Sequence, residues 1–314
     1  MFEVKIYTDT YKNLWDEFVD QAKNSHFFFK RDYMEYHKDR FKDFSLLIFE
    51  GGKLISILPC NIENDIIFSH AGLTFGGFLL DSKIKLPKFL KLFEEVIKFL
   101  RKQGIKKIIY KTLPYIFHTL PAEEDRFALY LYDAKLIKRD ANSVIYLDSN
   151  FINIYSNGKK DNIRKSKKAQ IHIEKVRNIR DFETFWHILE EILLKKYNKK
   201  PVHSLDEIWY LKNKFPKNIK LFVAKKEEKI LAGALIFENK FTVHTQYLAN
   251  SREGRKLGAL DFVIHTLLTD IYKNKKYFSF GISNVEKELN EGLILWKEGF
   301  GARTVVHDTY LINL

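Results

Sequence analysis

Three basic side chains lie just ahead of a glycine that opens an apolar helix in the second half of the chain. Arg252, Arg255 and Lys256 precede Gly258 and Ala259, and apolar residues then recur at three- and four-residue spacing. The first N–H groups of a helix lack intrahelical partners and carry the positive end of the helix dipole, so such a start attracts anions. The pattern predicts a phosphate-binding segment. A basic helix start with a structural glycine is the alternative.

Three further side chains are candidates for proton transfer, because a general base needs a pKa near neutrality. His203 lies in a proline-marked loop before a helix, His244 in an apolar strand, and Glu291 at the start of a later helix. Each also has a structural explanation. A capping box from Ser204 to Glu207 explains the loop of His203. His244 can be a hydrogen-bonded histidine of a strand, and Glu291 a carboxylate favoured by the helix dipole.

The first half of the chain carries a glycine- and aromatic-rich loop at 69–78. Such a loop lets an acceptor approach the backbone closely, and a turn with buried aromatics is the alternative. The predicted substrate-binding residues, in this loop and at the end of the following strand, are His70, Thr74, Phe75, Gly76, Lys111 and Tyr115.

The elements that must position these residues occur in the same order twice. Apolar periodicity predicts a hairpin at 46–58, a helix at 87–103 and a strand at 105–111 in the first half. The second half repeats this order with a hairpin at 220–237, a helix at 258–272 and a strand at 277–281. A further strand, at 241–249, lies between its hairpin and its helix.

The repeat predicts an α/β protein of two tandem domains, each a mixed sheet with flanking helices. A length of 314 residues also favours two cores over one. We place the domains at 1–150 and 151–314, with a connector helix at about 153–169 at the start of the second.

Composition narrows the class of protein. With 46% hydrophobic residues mixed along the chain, a globular protein is expected. No apolar stretch approaches the roughly 20 residues of a membrane span, and 1–20 lacks a signal-peptide core, so we expect a cytoplasmic protein. The single Cys60 is expected to pack in the core, and no metal site is expected. The net charge of +13 suits an anionic partner, although solvated lysine faces would also explain it.

The order of hairpin, strand, glycine-led helix and strand resembles the GNAT acyltransferase fold, and its double occurrence resembles the FemAB-type branch. The most specific stretches are 279–284, 290–302 with its Lys-x-x-Phe-Gly sequence, and the basic connector 162–169. Within that branch, the whole chain is similar to enzymes that acylate nucleotide-linked amino sugars for O-antigen and other surface polysaccharides.

The resemblance implies acyl-CoA as co-substrate on the second domain and the acceptor on the first. In the family, a Gln/Arg-x-x-Gly-x-Gly/Ala loop holds the carrier pyrophosphate; here Arg255 and Gly258 agree with it, while Leu260 departs from the small final residue. The family's central strand, matched by 244–249, holds the thioester carbonyl through its backbone. The residues predicted to bind the carrier are Gln246, Tyr247, Arg252, Arg255, Lys256, Gly258, Ala259 and Asn284.

The implied reaction is direct attack of an amine on the acyl carbonyl without a covalent enzyme intermediate. The absence of a Gly-x-Ser-x-Gly elbow is consistent with that route. Strict alternation along the central strand predicts that His244 and Tyr247 lie on opposite faces.

Two alternatives remain open. One is aminoacyl-tRNA-dependent transfer to a peptidoglycan precursor, as in other FemAB members; the positive charge suits tRNA, but no long coiled-coil arm is evident in the sequence. The other is a GNAT-derived binding module with a decayed carrier loop. The expected partners are the nucleotide-linked amino sugar and acyl-CoA, with tRNA only under the first alternative and a homodimer left open.

Overall fold

The computed structural model describes residues 2–148 and 150–314. Backbone contacts divide the chain into two compact units: unit 1 consists of the chain up to Ala141 together with Val306–Leu314, and unit 2 of Asn142–Val305. The division of function between domains separated at residue 150 stays a prediction.

The helices of unit 1 flank its sheets, and those of unit 2 include two that follow one another directly. The helices of unit 1 are α1 (Lys12–Gln21), α2 (Arg31–Met34), α3 (Leu86–Lys102) and α4 (Glu124–Leu131). The helices of unit 2 are α5 (Asn157–Lys168), α6 (Ile179–Tyr197), α7 (Leu205–Lys214), α8 (Arg252–Leu257), α9 (Ala259–Thr266) and α10 (Glu291–Glu298).

The strands pair in both antiparallel and parallel orientation, as the predicted α/β class requires. The strands in the first half are β1 (Phe2–Ile6), β2 (Leu46–Glu50), β3 (Lys53–Leu58), β4 (Asn61–Glu63), β5 (Ile66–Phe68), β6 (Leu79–Leu80), β7 (Lys107–Lys111) and β8 (Lys135–Tyr146). The remaining strands are β9 (His172–Lys175), β10 (Ile219–Lys226), β11 (Lys229–Glu238), β12 (Thr242–Asn250), β13 (Tyr277–Ile282), β14 (Asn284–Val285), β15 (Glu288–Leu289) and β16 (Arg303–Asn313).

Unit 1 contains two sets of strands. One is an antiparallel sheet in the order β1-β2-β3-β6; the other runs β4-β5-β7-β16, with β5 and β7 parallel. The predicted hairpin is confirmed as β2–β3, whose turn uses Gly51 and Gly52 at φ values of 56° and 78°. Glycine adopts these left-handed values without steric cost. The apolar stripe of α3 is buried in the core of this unit.

Unit 2 contains strands in the order β8-β13-β12-β11-β10-β9, in which β12 and β13 are parallel. Its core lies between this sheet and α9, whose Val263 and Ile264 are fully buried. The helix predicted at 258–272 is present as α9, which continues directly into a π-helical turn, Leu267–Ile271. It follows a separate helix, α8, which ends at Gly258 with φ 73°.

In unit 1, α2 is followed directly by a 3₁₀ turn, Glu35–His37. No helix within residues 2–148 and 150–314 combines the length and apolarity needed to cross a membrane. Cys60 is fully buried, and burial raises the pKa of its thiol, which suits packing better than nucleophilic chemistry.

Unit 1 buries several histidines among aromatic rings. Burial lowers the pKa of His70 to about 3 and the pKa values of His118 and His307 to about 4. His70 accepts a hydrogen bond from the Gly72 N–H through Nδ1 and stacks on His37 at 5.7 Å. These rings are therefore held neutral in the folded protein.

We expect acid to destabilise unit 1 through these histidines. In the unfolded chain they take up protons below about pH 6.5, whereas the folded protein binds them only near pH 3 to 4. Unfolding free energy should fall by about 1.4 kcal/mol per pH unit and histidine as pH drops from 6.5 toward 4. His70→Asn, which keeps an acceptor for Gly72, should reduce this slope in denaturant titrations between pH 7.5 and 5.

The matched control is His187→Asn, because the His187 side chain is 74% exposed. It should leave the pH dependence unchanged. Equal slopes for the wild-type protein and the His70→Asn variant would contradict the assignment.

Candidate functional site

Strand β12 contains one residue more than the segment of β11 with which it pairs. Thr245 lies opposite Ile236 and Tyr247 lies opposite Leu235, so Gln246 has no opposite residue. Such a β-bulge breaks the two-residue alternation of side chains. The alternation predicted for this strand is therefore wrong at Gln246.

The bulge brings His244 and Tyr247 to the same face. Directly opposed residues project to the same side of a sheet, and the partners of these two are Phe237 and Leu235, which are two residues apart. Tyr247 packs on this face against Trp186 of α6, with ring centroids 5.2 Å apart. Two side chains expected on opposite sides thus share one surface.

β12 and β13 separate just ahead of the bulge. Their parallel pairing runs only from Thr242 to His244, whereas β12 continues to pair with β11 as far as Asn250. The second half of β12 therefore has strand pairing on one side only. The backbone groups that project from its other side can pair with an extended ligand.

His203 is hydrogen-bonded to Tyr247 on this face. Its Nδ1 lies 2.7 Å from the tyrosine hydroxyl, and its backbone N–H donates to the same oxygen at 3.3 Å. Burial raises the pKa of Tyr247, so the phenol remains protonated at neutral pH. The capping box from Ser204 to Glu207 is also present, and it positions this loop at the start of α7.

His244 belongs to a second hydrogen-bonded group, with side chains of β13 and β8. Its Nδ1 lies 3.0 Å from Ser279 Oγ, and Ser279 Oγ donates to Asn142 Oδ1 at 3.1 Å. Because the one hydroxyl proton goes to Asn142, the His244 Nδ1–H is the donor to Ser279, and the imidazole lone pair lies on Nε2. This arrangement gives His244 the tautomer of a base.

Lys297 is buried near the end of β13. Its ammonium group donates to the carbonyls of Gly281 and Ile282 at 2.8 and 2.9 Å and to Ser283 Oγ at 2.7 Å. Burial lowers its pKa to about 7. The lysine therefore holds the turn after β13 in place, and its charge is sensitive to pH near neutrality.

Sequence reasoning missed Ser279, Asn142 and Lys297. Two of them lie in the stretches that carry the family resemblance, and the Lys-x-x-Phe-Gly sequence contains Lys297. Its position on a short helix resembled that of a solvated lysine, and only the tertiary structure reveals the three acceptors around it.

The predicted phosphate segment is largely helical. Arg252, Arg255 and Lys256 lie on α8 with exposed side chains. A Cβ on Gly258 would lie 2.6 Å from the backbone oxygen of Asn162 in α5, so this glycine is required for helix packing. Leu260 packs in the core, which accounts for its size. The carrier-binding role of this segment stays a prediction.

The remaining candidates of unit 2 lie on other elements than β12 and α8. Ala259 is fully buried at the start of α9. Asn284 opens a small hairpin and donates to the Glu286 carbonyl at 2.8 Å. Glu291 is exposed in the first turn of α10, next to the capping residue Asn290, as the dipole explanation expects. Their functional roles stay predictions.

The loop that carries most substrate candidates of unit 1 is held by Lys111 at the end of β7. The Lys111 ammonium donates to the carbonyls of His70, Ala71 and Leu73 at 3.1, 3.2 and 2.6 Å. A Cβ on Gly76 would lie 1.4 Å from the Ser69 carbonyl oxygen. The loop is thus packed on itself.

Three other residues complete the predicted acceptor region. Phe75 lies within a cluster of aromatic rings, whereas Thr74 and Tyr115 are exposed. Those two side chains are accessible to an acceptor, and the substrate role of the set stays a prediction.

Comparison with known proteins identifies the fold. No family model matches the chain, and no curated protein matches it. Among solved structures, FemX is similar with a TM-score of 0.70 and 12% identity over 98% of this chain and 96% of its own. A tandem GNAT protein from the clavulanic acid biosynthesis pathway is similar with a TM-score of 0.52 and 9% identity, over 100% of this chain and 98% of its own. The chain has the tandem GNAT fold.

A third solved structure shares this fold. The L-PGS of Bacillus licheniformis matches with a TM-score of 0.63 and 12% identity, over 96% of this chain and 91% of its own. At these identities the likenesses establish the GNAT fold alone. The bulge in β12 and its separation from β13 are thus features of a GNAT-type unit in this chain.

The junction between α8 and α9 gives a testable contrast. Gly258 and Gly104 have φ values of 73° and 77°, but a Cβ on Gly104 meets nothing within 4 Å. Gly104→Ala should cost about 1–2 kcal/mol from backbone strain. Gly258→Ala should cost more, roughly 2–4 kcal/mol, because Asn162 must also move. Denaturant unfolding measures both, and equal losses would disprove the packing role of Gly258.

Proposed function

We propose that this chain is an N-acyltransferase that moves an acyl group from acyl-CoA to the amine of a nucleotide-linked amino sugar. The observation that supports it most is the bulged, half-paired β12, which carries His244 and Tyr247 on one face. A strand with open backbone groups next to a base and an acid is what aminolysis of a thioester requires.

The proposed reaction is a direct transfer. The acceptor nitrogen forms a bond to the acyl carbon, and the carbon–sulfur bond breaks after a tetrahedral intermediate. His244 accepts the proton from the attacking amine through Nε2, with Ser279 and Asn142 holding its tautomer. Tyr247 donates a proton to the departing thiolate and is positioned by His203. The backbone of β12 next to Gln246 orients the acyl carbonyl.

The residues near the end of β12 fit an acyl-CoA co-substrate. The unpaired side of β12 offers backbone donors and acceptors to an extended chain, and Arg252, Arg255 and Lys256 provide exposed positive charge where the strand ends. Arginine and lysine bind phosphate groups through charge-assisted hydrogen bonds. The pyrophosphate of the carrier is therefore assigned to this segment.

The acceptor assignment rests on sequence. The stretches 279–284 and 290–302 resemble the FemAB-type branch, and within that branch the chain as a whole is similar to enzymes that acylate nucleotide-linked amino sugars. The net charge of +13 suits a phosphorylated acceptor. Thr74 and Tyr115 are the exposed side chains of the acceptor set. Thiol release from a panel of acyl-CoA donors and nucleotide-linked amino sugars tests this assignment.

We expect thiol release only when an amino sugar is present, at a rate well above hydrolysis. The same sugars with the amine already acylated serve as controls. Absence of amine-dependent release across the panel would overturn the proposal.

The proposed base is tested by His244→Gln, which retains a group that can hydrogen-bond to Ser279. We expect kcat to fall by roughly 10²–10⁴-fold, because the amine loses its proton acceptor. His187→Gln on the exposed surface of α6 is the matched control and should keep the rate. Unaltered kcat in His244→Gln would exclude this histidine as the base.

The alternative is an aminoacyl-tRNA-dependent FemAB-type transferase acting on a peptidoglycan precursor. Two observations favour it: the likeness to FemX, and an exposed basic surface on α5. The exposed basic side chains of that helix are Lys160, Arg164, Lys165, Lys167 and Lys168.

Binding experiments separate the two donors. A tRNA donor predicts salt-dependent binding of labelled tRNA that weakens when these α5 charges are neutralised. An acyl-CoA donor predicts thermal stabilisation by coenzyme A, about 2.7 kcal/mol at 100 times its Kd.

A further inference from the structure

Unit 2 also has a polar cleft, which lies away from the face that carries His244. It has a volume of about 430 Å³ and is formed where β11 ends and β12 begins. His244 and Tyr247, by contrast, pair with Phe237 and Leu235 and project from the other face of the sheet than Glu238. The ionisable side chains that line the cleft are Lys175, Lys220, Glu238, Lys240, Tyr272 and Lys275.

The charges in this cleft do not balance. Lys220 and Lys275 both form ion pairs with the single carboxylate of Glu238, and the three side chains are only 18–20% exposed. Lys275 also donates to the carbonyl of Asn239 at 2.7 Å, which satisfies a hydrogen bond but adds no negative charge. Two mostly buried ammonium groups thus share one carboxylate, which favours the binding of an additional anion.

Lys175 and Lys240 increase the imbalance at the rim. Both are exposed, and among the described residues neither has an ion pair with a carboxylate. The positive charge of Lys175 also acts on Lys212 of α7, whose pKa is lowered by burial and then by this charge. With four lysines and one glutamate, the cleft carries a formal charge of +3.

Tyr272 provides a buried donor in the same wall. The residue is 4% exposed, and its hydroxyl faces the Glu238 carboxylate at less than full hydrogen-bond geometry. Burial and this contact with Glu238 raise its pKa, so the hydroxyl keeps its proton. Because the same carboxylate already pairs with two lysines, the hydroxyl can donate to a ligand oxygen instead.

We propose that this cleft binds a small molecule bearing a phosphate or pyrophosphate group. The Tyr272 hydroxyl donates to a phosphate oxygen, and Lys175 and Lys240 neutralise its charge. The volume falls within the range of small-molecule sites, roughly 300–1,000 Å³. The site is independent of the acyl-transfer proposal, since it uses none of the residues assigned to that reaction.

The probe is inorganic pyrophosphate, titrated calorimetrically into full-length protein carrying Arg255→Gln and Lys256→Gln. These two exposed substitutions weaken anion binding at the proposed carrier segment. In that doubly substituted protein we expect the titration to show one pyrophosphate-binding site. Lys175→Gln should raise Kd by roughly tenfold, and Tyr272→Phe by a similar factor with the ring packing retained.

The matched control is Lys226→Gln, an exposed lysine at the other end of β10 that makes the same charge change. It should alter Kd by less than about twofold, because exposed charges further apart than a Debye length are largely screened. Three outcomes would overturn the proposal: no binding at about 1 mM pyrophosphate, equal weakening by Lys175→Gln and Lys226→Gln, or binding to anionic phospholipid vesicles without binding to pyrophosphate.

Discussion

The single unpaired residue at Gln246 is the constraint on which the proposed site depends. A regular β12 would place His244 and Tyr247 on opposite faces of the sheet, where they could not act on the same bond. The bulge shifts the second half of the strand by one position. It also accompanies the separation from β13 after His244, which leaves one side of the strand without a strand partner. One extra residue therefore provides both the common face and the open backbone.

The neighbouring elements keep this irregular strand in place. On the α6 face, Gly233 of β11 allows Phe185 to approach, since a Cβ there would lie 2.7 Å from the ring. On the opposite face, Leu248 joins the core built around α9. The connector α5 is tied to α9 by Lys159 and Asn162, which donate to Asp261 at 3.0 and 2.7 Å. Close packing on both faces makes the bulge a fixed feature and not a local fluctuation.

The sequence was sufficient for the repeated elements and insufficient for the geometry of the site. The stripe along α3, the turn at Gly51 and Gly52 and the paired hairpins follow from local periodicity and turn chemistry, and the structure confirms them. The bulge at Gln246 has no local signal, because register is decided between strands. Lys297 gave no signal for the same reason, since its three acceptors are brought together only in the folded protein.

The most direct test of the account is backbone hydrogen exchange across β12 with and without coenzyme A. If the carrier pairs with the open side of the strand, amides of 245–250 should become protected while those of β2 and β3 in unit 1 do not change. Saturating coenzyme A binding without added protection in 245–250 would contradict the central role of the bulged strand.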